Sequence, residues 1–234
     1  MSRWDISGCT LGGMKAAKSP TAPEDRRQRK ARRTRDALAT AACDLLLEQG
    51  PAGTTVEAIA ERADVTRRTF SRHFAGKEDA ALDFVRRDGD RINALLRLRP
   101  ADEPPLVAYR RAVRDWLADR DDPAWHVRPQ MRRLLSLVDS EPDLFAAYQR
   151  IRVDAQEESI RIVAGRLGTD DARDVRPAAI VDAAAGVLVA ALRLWARGTG
   201  EDPGARDLAA LVERAYDALT SEAAAAVPAG TTED

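Results

Sequence analysis

Two cysteines and two histidines among 234 residues leave little material for a disulfide framework or a metal centre. Cys9 and Cys43 are too few and too badly placed to cross-link a fold. Cys43 lies among Ala41, Ala42 and Leu46 and reads as a buried thiol, so a reducing, cytosolic setting is expected. His73 and His126 fall in different expected domains, and no nucleotide loop or nucleophile elbow accompanies them. The reading is therefore of a non-enzyme: no catalytic residue, metal ligand or cofactor is assigned. No apolar run approaches the length of about 18 residues needed to cross a bilayer. The longest, around Val187 to Leu194, is interrupted by Arg193, and the start of the chain has no secretory pattern. No membrane association is expected. Period-two alternation is also missing over any useful length, which excludes a sheet and leaves an all-α protein.

Charge is abundant but nearly balanced, with 37 Lys and Arg against 38 Asp and Glu and a formal net charge of −1. Its distribution is more informative. Residues 1–78 hold 15 basic and 10 acidic residues, a balance of +5, so the remainder carries −6. A chain basic at one end suits a protein that presents one face to a polyanion. Plain acidic solubility explains the second half equally well.

The stretch from Thr54 to Phe74 organises the rest. Val56, Ile59, Ala60 and Ala63 fall on one stripe of a helix of about two turns. After Asp64 the pattern restarts with Val65, Phe70 and Phe74. Thr54 with Glu57 fits a capping box for the first helix, and Thr66 caps the second. Val65 and Phe70 are placed to form a hydrophobic staple, while Arg67, Arg68, Ser71 and Arg72 can point the other way. Two short helices in this arrangement read as a helix-turn-helix whose second member meets DNA.

The same stretch resembles the DNA-binding domain of the tetracycline-repressor-like (TetR/AcrR) transcriptional regulators. The matching residues are Thr55, Val56, Ile59, Ala60, Ala63, Val65, His73, Phe74 and Lys77, with Thr66 at the usual serine cap. Asp64 replaces the family's glycine at a sharp turn, so a positive φ is expected there. Ser71 replaces a tyrosine that often contacts phosphate and keeps a hydroxyl with less reach. The resemblance implies a phosphate contact for Lys77, and for His73 either support of the recognition helix or approach to the backbone. The expected DNA-contact set is Arg33, Arg35, Thr55, Thr66, Arg67, Arg68, Thr69, Ser71, Arg72, His73 and Lys77.

Around this motif, residues 1–25 show no usable period and are expected to be a disordered extension. Arg26 to Arg35 holds seven positive charges in ten residues. Immediately before a DNA-reading unit it suits an arm along phosphates or in a minor groove, although a solvated face is the plainer alternative. A helix from near Ala31 to Glu48 then buries Leu38, Ala41, Ala42, Leu45 and Leu46 before Gly50 and Pro51 stop it. Lys77 opens a fourth helix that continues through Ala80, Ala81, Phe84 and Val85. The expected units are 26–78 for the arm and DNA-binding domain, 79–225 for a helical regulatory and dimerisation domain, and 226–234 for a disordered tail.

Five further helices are expected after Pro100, Pro104 and Pro105, making about nine in all. The last two are wide in apolar coverage and rich in alanine. The resemblance implies a dimer through them, so Ala183, Val187, Ala191, Leu211 and Ala215 are the expected interface. It also implies a small-molecule pocket, for which Trp116, Trp125, Met131, Leu135, Phe145, Tyr148 and Trp195 are the bulky candidates; plain core predicts the same residues. An apolar or amphipathic effector is expected. Arg128, Arg132, Arg133, Arg150 and Arg152 permit an anionic one, such as an acyl thioester of a nucleotide carrier. The functional expectation is a cytoplasmic, ligand-responsive dimeric repressor on a palindromic double-stranded DNA operator of the bacterial chromosome. An activator of the same fold and a non-specific DNA-binding or protein-interaction module are the alternatives.

Overall fold

A computed structural model of the chain describes residues 26–128, 130–198 and 207–226. The expected N-terminal extension, 1–25, lies outside the described residues, as does the expected tail apart from Ala226. Ten α-helices occur among the described residues: α1 (Arg26–Gly53), α2 (Val56–Arg62), α3 (Arg67–Ser71), α4 (Lys77–Ala81), α5 (Asp83–Leu98), α6 (Pro105–Ala118), α7 (Met131–Ser140), α8 (Pro142–Leu167), α9 (Val175–Arg197) and α10 (Leu208–Ala225). A single 3-10 turn spans Trp125–Val127. One more helix is present than the sequence suggests, because the expected fourth helix breaks at Leu82 (φ −99°, ψ 11°) into α4 and α5.

Local chemistry explains the N-terminal unit. Residues from Arg26 onward are already helical, ahead of the expected start near Ala31, so the basic run is part of α1 instead of a separate arm. Near its other end α1 kinks at Gly50, whose φ of 74° suits a residue without a Cβ. Thr54 is not the cap of α2. Its hydroxyl donates to the Gly50 carbonyl at 2.9 Å, which leaves Thr55 to accept from the Ala58 N–H at 3.1 Å. Thr66 caps α3 by accepting from the Thr69 N–H at 3.1 Å. Asp64 has a φ of 52°, the left-handed conformation expected for a residue replacing a turn glycine. Leu38, Leu46, Ile59, Phe70 and Phe74 share one buried cluster, with Val65 packed against it. That cluster continues into Val138 of α7 and Leu144, Ala147 and Ile151 of α8, so the two halves share a core.

The second half is a helical bundle in which α5 packs on α8 and α6, and α9 packs on α10, α8, α7 and α6. The α5–α8 approach is close at Gly89, where a Cβ would lie 2.9 Å from the Ala155 Cβ. Asn93 strengthens the seam by donating to the Ala155 carbonyl at 3.0 Å and accepting from the Ser159 hydroxyl at 2.6 Å. Helix α9, with 23 residues, is long and apolar enough to cross a membrane by length and composition alone. In this fold Val181, Ala184, Val187, Ala191, Leu192 and Trp195 of that helix are buried in the bundle, which accounts for one side of its apolar coverage. Helix α8 ends at Leu167 with Gly168 in the left-handed conformation (φ 62°).

Candidate nucleic-acid interface and effector cavity

The short helix α3 presents a polar face because its apolar residues are anchored behind it. Phe70 and Phe74 are buried, with ring centroids 5.8 Å apart. Arg67, Arg68, Ser71 and Arg72 are exposed, and Thr69 is half-buried. Arg67 reaches back to Glu57 at 2.9 Å, but both side chains stay largely in solvent, so the pair is weak and free to exchange for a phosphate. Thr66 and Thr69 hold their hydroxyls 3.0 Å apart, and Ser71 donates to the Arg67 carbonyl at 3.2 Å. The exposed Thr55 lies at the start of α2, and Arg33 is exposed on α1. His73 is half-buried; burial first, and the guanidinium of Arg35 next, hold its imidazole below the usual range.

Two residues expected at phosphates point inward instead. Arg35 places Nη2 2.5 Å from Oδ1 of Asp83, a carboxylate with no solvent exposure, and donates to the His73 carbonyl at 3.2 Å. Its guanidinium carbon lies 4.6 Å from the centre of the Phe74 ring. Lys77 donates to the carbonyls of Pro51 at 2.5 Å and Thr54 at 3.0 Å, tying the end of α1 to the start of α4. The acceptors come from distant parts of the chain. Both cations are therefore positioned by tertiary contacts.

Between α5, α6, α8 and α9 lies a mainly apolar cavity of about 80 Å³. A second, more polar cavity of about 180 Å³ lies between α1, α5 and the 122–131 segment. Asp88 and Trp125 belong to the walls of both. Of the expected pocket residues, Trp116, Trp125 and Tyr148 line the first cavity and Met131 the second. Leu135 and Tyr148 line a small crevice of about 20 Å³. Trp195 is buried edge-on to Trp125, with Arg132 stacked on its ring. Phe145 is a correction: it is 37% exposed on α8, because its neighbour Leu144 takes the inward register. Asp88, Tyr109 and Ser159 line the first cavity although residue bulk does not select them, and Arg152, one of the arginines expected around an effector, lines it as well. A signal for Asp88 exists, since it occupies the inward stripe of α5 together with Phe84 and Ile92.

On α9 and α10 the residues expected at a dimer interface divide. Ala183 is exposed and Ala215 half-buried, whereas Val187, Ala191 and Leu211 face the chain's own core. The outward stripe of α9 is Ala179, Ala183, Gly186, Ala190 and Leu194, spaced by three or four residues. Leu194 is 55% exposed.

With two Thr-capped helices, an outward arginine face and a helical bundle behind them, the molecule is of the helix-turn-helix class. Residues 38–81 match the bacterial regulatory proteins of the tetR family, and residues 103–224 match the MftR C-terminal domain. The chain belongs to the TetR family of DNA-binding transcriptional regulators. It is 39% identical over 203 residues to the HTH-type transcriptional regulator TcmR of Streptomyces glaucescens, covering 84% of this chain and 87% of TcmR. A TetR-family transcriptional regulator from Mesorhizobium loti shares the fold at 18% identity, with a TM-score of 0.51 over 84% of this chain and 98% of its own. The fatty acid degradation regulator FadR of Bacillus halodurans is also similar, at 18% identity and a TM-score of 0.49 over 80% of this chain and 94% of its own.

Proposed function

We propose that the protein is a cytoplasmic homodimeric repressor that binds a palindromic double-stranded operator and leaves it when a small apolar or amphipathic molecule enters the cavity beside α5. The observation that carries this reading is the course of α5 itself. At its first residue Asp83 is joined through Arg35 to the end of the DNA-binding unit, and five residues later Asp88 lines both cavities. A ligand that displaces α5 therefore acts on the same rigid element that holds the recognition helix. No catalytic role is assigned.

In this reading Arg68 and Thr69 face base edges, while Arg33, Arg67, Ser71 and Arg72 lie along phosphates. The outward α9 stripe of Ala183, Gly186, Ala190 and Leu194, with α10, meets a second copy, because small residues allow close helix approach. Two recognition helices spaced by one DNA turn, about 34–36 Å, then read the two half-sites. The effector shifts a population toward a dimer with the wrong spacing, and a coupling of about 1–3 kcal/mol changes DNA affinity by about 5–150-fold.

Selecting bound duplexes from a random pool, followed by measuring the mass of the complex, tests the proposal. An inverted repeat occupied by two chains is expected. A site without two-fold symmetry, occupied by one chain, contradicts it.

A further inference from the structure

Asp88 is a buried carboxylate held only by long contacts. It is 7% exposed, yet the Nη1 of Arg91 stands 3.3 Å away and the Trp125 backbone N–H 3.5 Å away, both long for a buried carboxylate. Arg91 is also shared. It makes a 2.9 Å contact with Asp119 and a 3.6 Å contact with Asp122, and donates to the Asp122 carbonyl at 2.5 Å. One guanidinium thus serves three carboxylates. The next arginine on the helix, Arg87, is paired with Asp36 at 2.8 Å. The indole N–H of Trp116, fully buried in the same wall, faces Asp88 too loosely to count as a formed hydrogen bond, yet it still favours the carboxylate.

Most of that wall is aromatic and aliphatic, with Tyr109, Trp116, Trp125, Ile92 and Leu192 in it, and Arg152, Gln156 and Ser159 are its other polar members. A buried carboxylate held by long contacts beside aromatic faces is chemistry suited to an organic cation, through Coulomb attraction and the ring quadrupoles together. We propose that this cavity takes a ligand with a protonated or quaternary amine, its cationic head against Asp88 and its apolar body among the aromatic side chains. The assignment rests on the reading of the cavity as the effector site and names the class of effector. Burial pushes the Asp88 carboxyl up to about 6, and a bound cation offsets that desolvation. The cavity of about 80 Å³ holds little more than the head group. Trp125 separates it from the space of about 180 Å³ beside α1, so a ring-sized body enters by displacing Trp125 toward the DNA-binding unit. Arg152, the cation in the cavity wall, hydrogen-bonds to Gln149 at 3.0 Å and Gln156 at 2.9 Å; an anion would have to recruit it.

Three probes of one shape separate the cases: 4-phenylbutylammonium, 4-phenylbutanol and 4-phenylbutyrate. Each is titrated into the full-length protein near neutral pH, following tryptophan fluorescence and the affinity for its selected duplex. The cation is expected to bind at least about ten-fold more tightly than the alcohol, with the anion weakest. In Asp88→Asn the cation falls to the level of the alcohol, whose own affinity changes by less than about two-fold. A flat ranking in the unsubstituted protein, tightest binding of the anion, or a cation preference that survives Asp88→Asn overturns the assignment. If Asp88→Asn does not fold, the ranking in the unsubstituted protein decides alone. Binding of the alcohol without cation preference leaves the cavity as an effector site and removes only the cation. If no probe binds or changes DNA affinity, both readings fall.

Discussion

The guanidinium of Arg35 closes on the buried carboxylate of Asp83 and joins it to the turn that follows α3 through the His73 carbonyl. A cation from the basic run of α1 is thereby built into the seam between the two halves. Removing it in Arg35→Ala strips a fully buried carboxylate of its closer partner. Arg86, 3.1 Å from Asp83, still serves that group, so the cost lies at the low end for a broken buried pair, about 3 kcal/mol. Denaturant unfolding is expected to show this loss. The salt dependence of DNA binding, measured where the variant is folded, is expected to keep its slope. A phosphate role predicts the reverse, with stability unchanged and a slope lower by about 0.9.

Lys77 makes a parallel case with a different partner. Its ammonium joins the Pro51 and Thr54 carbonyls, and Lys77→Met keeps the apolar stem while leaving both acceptors without that donor. A loss of about 1.5–3 kcal/mol in stability is expected, the range for hydrogen bonds to a charged group. Thermal unfolding of the variant reads it. An unchanged transition together with weaker binding to every duplex would return Lys77 to the DNA backbone.

Asp64 holds a φ of 52°, a conformation that strains residues with a Cβ. Asp64→Gly removes that strain and is expected to stabilise the chain by up to about 1 kcal/mol, partly offset by the greater freedom of glycine when unfolded. Asp64→Val, with a branched Cβ, is expected to destabilise by more than about 1 kcal/mol. Urea unfolding of the pair gives the order Gly above Asp above Val; any order with Val at the top contradicts the turn geometry.

Asp88 also makes stability depend on pH. Its folded value of about 6 lies above the ordinary carboxylate value near 3.8, and burial is the largest cause. Arg91 and Arg87 of its own helix, the Trp116 indole and the Trp125 amide oppose that rise. Protonation therefore favours the folded chain. The stability it gives is complete below about pH 4 and is lost as pH rises through about 6, an amount of about 3 kcal/mol. Asp88→Asn cannot ionise, so its stability relative to the unsubstituted protein should climb between about pH 4 and pH 7. Parallel stability curves across that range would show that Asp88 is not desolvated as described.

Readability of the sequence follows the range of the interactions. The Thr66 cap, the Asp64 turn and the burial of Phe70 and Phe74 behind an arginine face are decided within a few residues, and periodicity with capping chemistry finds them. Arg35 and Lys77 depend on acceptors 48 and 23 to 26 positions away, which no local pattern specifies. The α2 cap moved by one residue because the Gly50 kink offered Thr54 a different partner. On α9 the apolar coverage is so wide that periodicity cannot say which side meets the core; packing against four helices buries Val187 and Ala191 and leaves Gly186 and Ala190 outside. Asp88 is legible as a charge in the apolar stripe of α5, but side-chain bulk alone does not select it.

Under the proposed function α3 reads DNA sequence through its outward face. The most direct test of this reading measures Arg68→Ala and Thr69→Ala against the selected duplex, its single-base variants and a scrambled duplex at one salt concentration. A loss of about 1–3 kcal/mol is expected on the selected duplex, with relaxed preference at one or two base positions and little change on the scrambled one. Equal losses on all duplexes would contradict that reading.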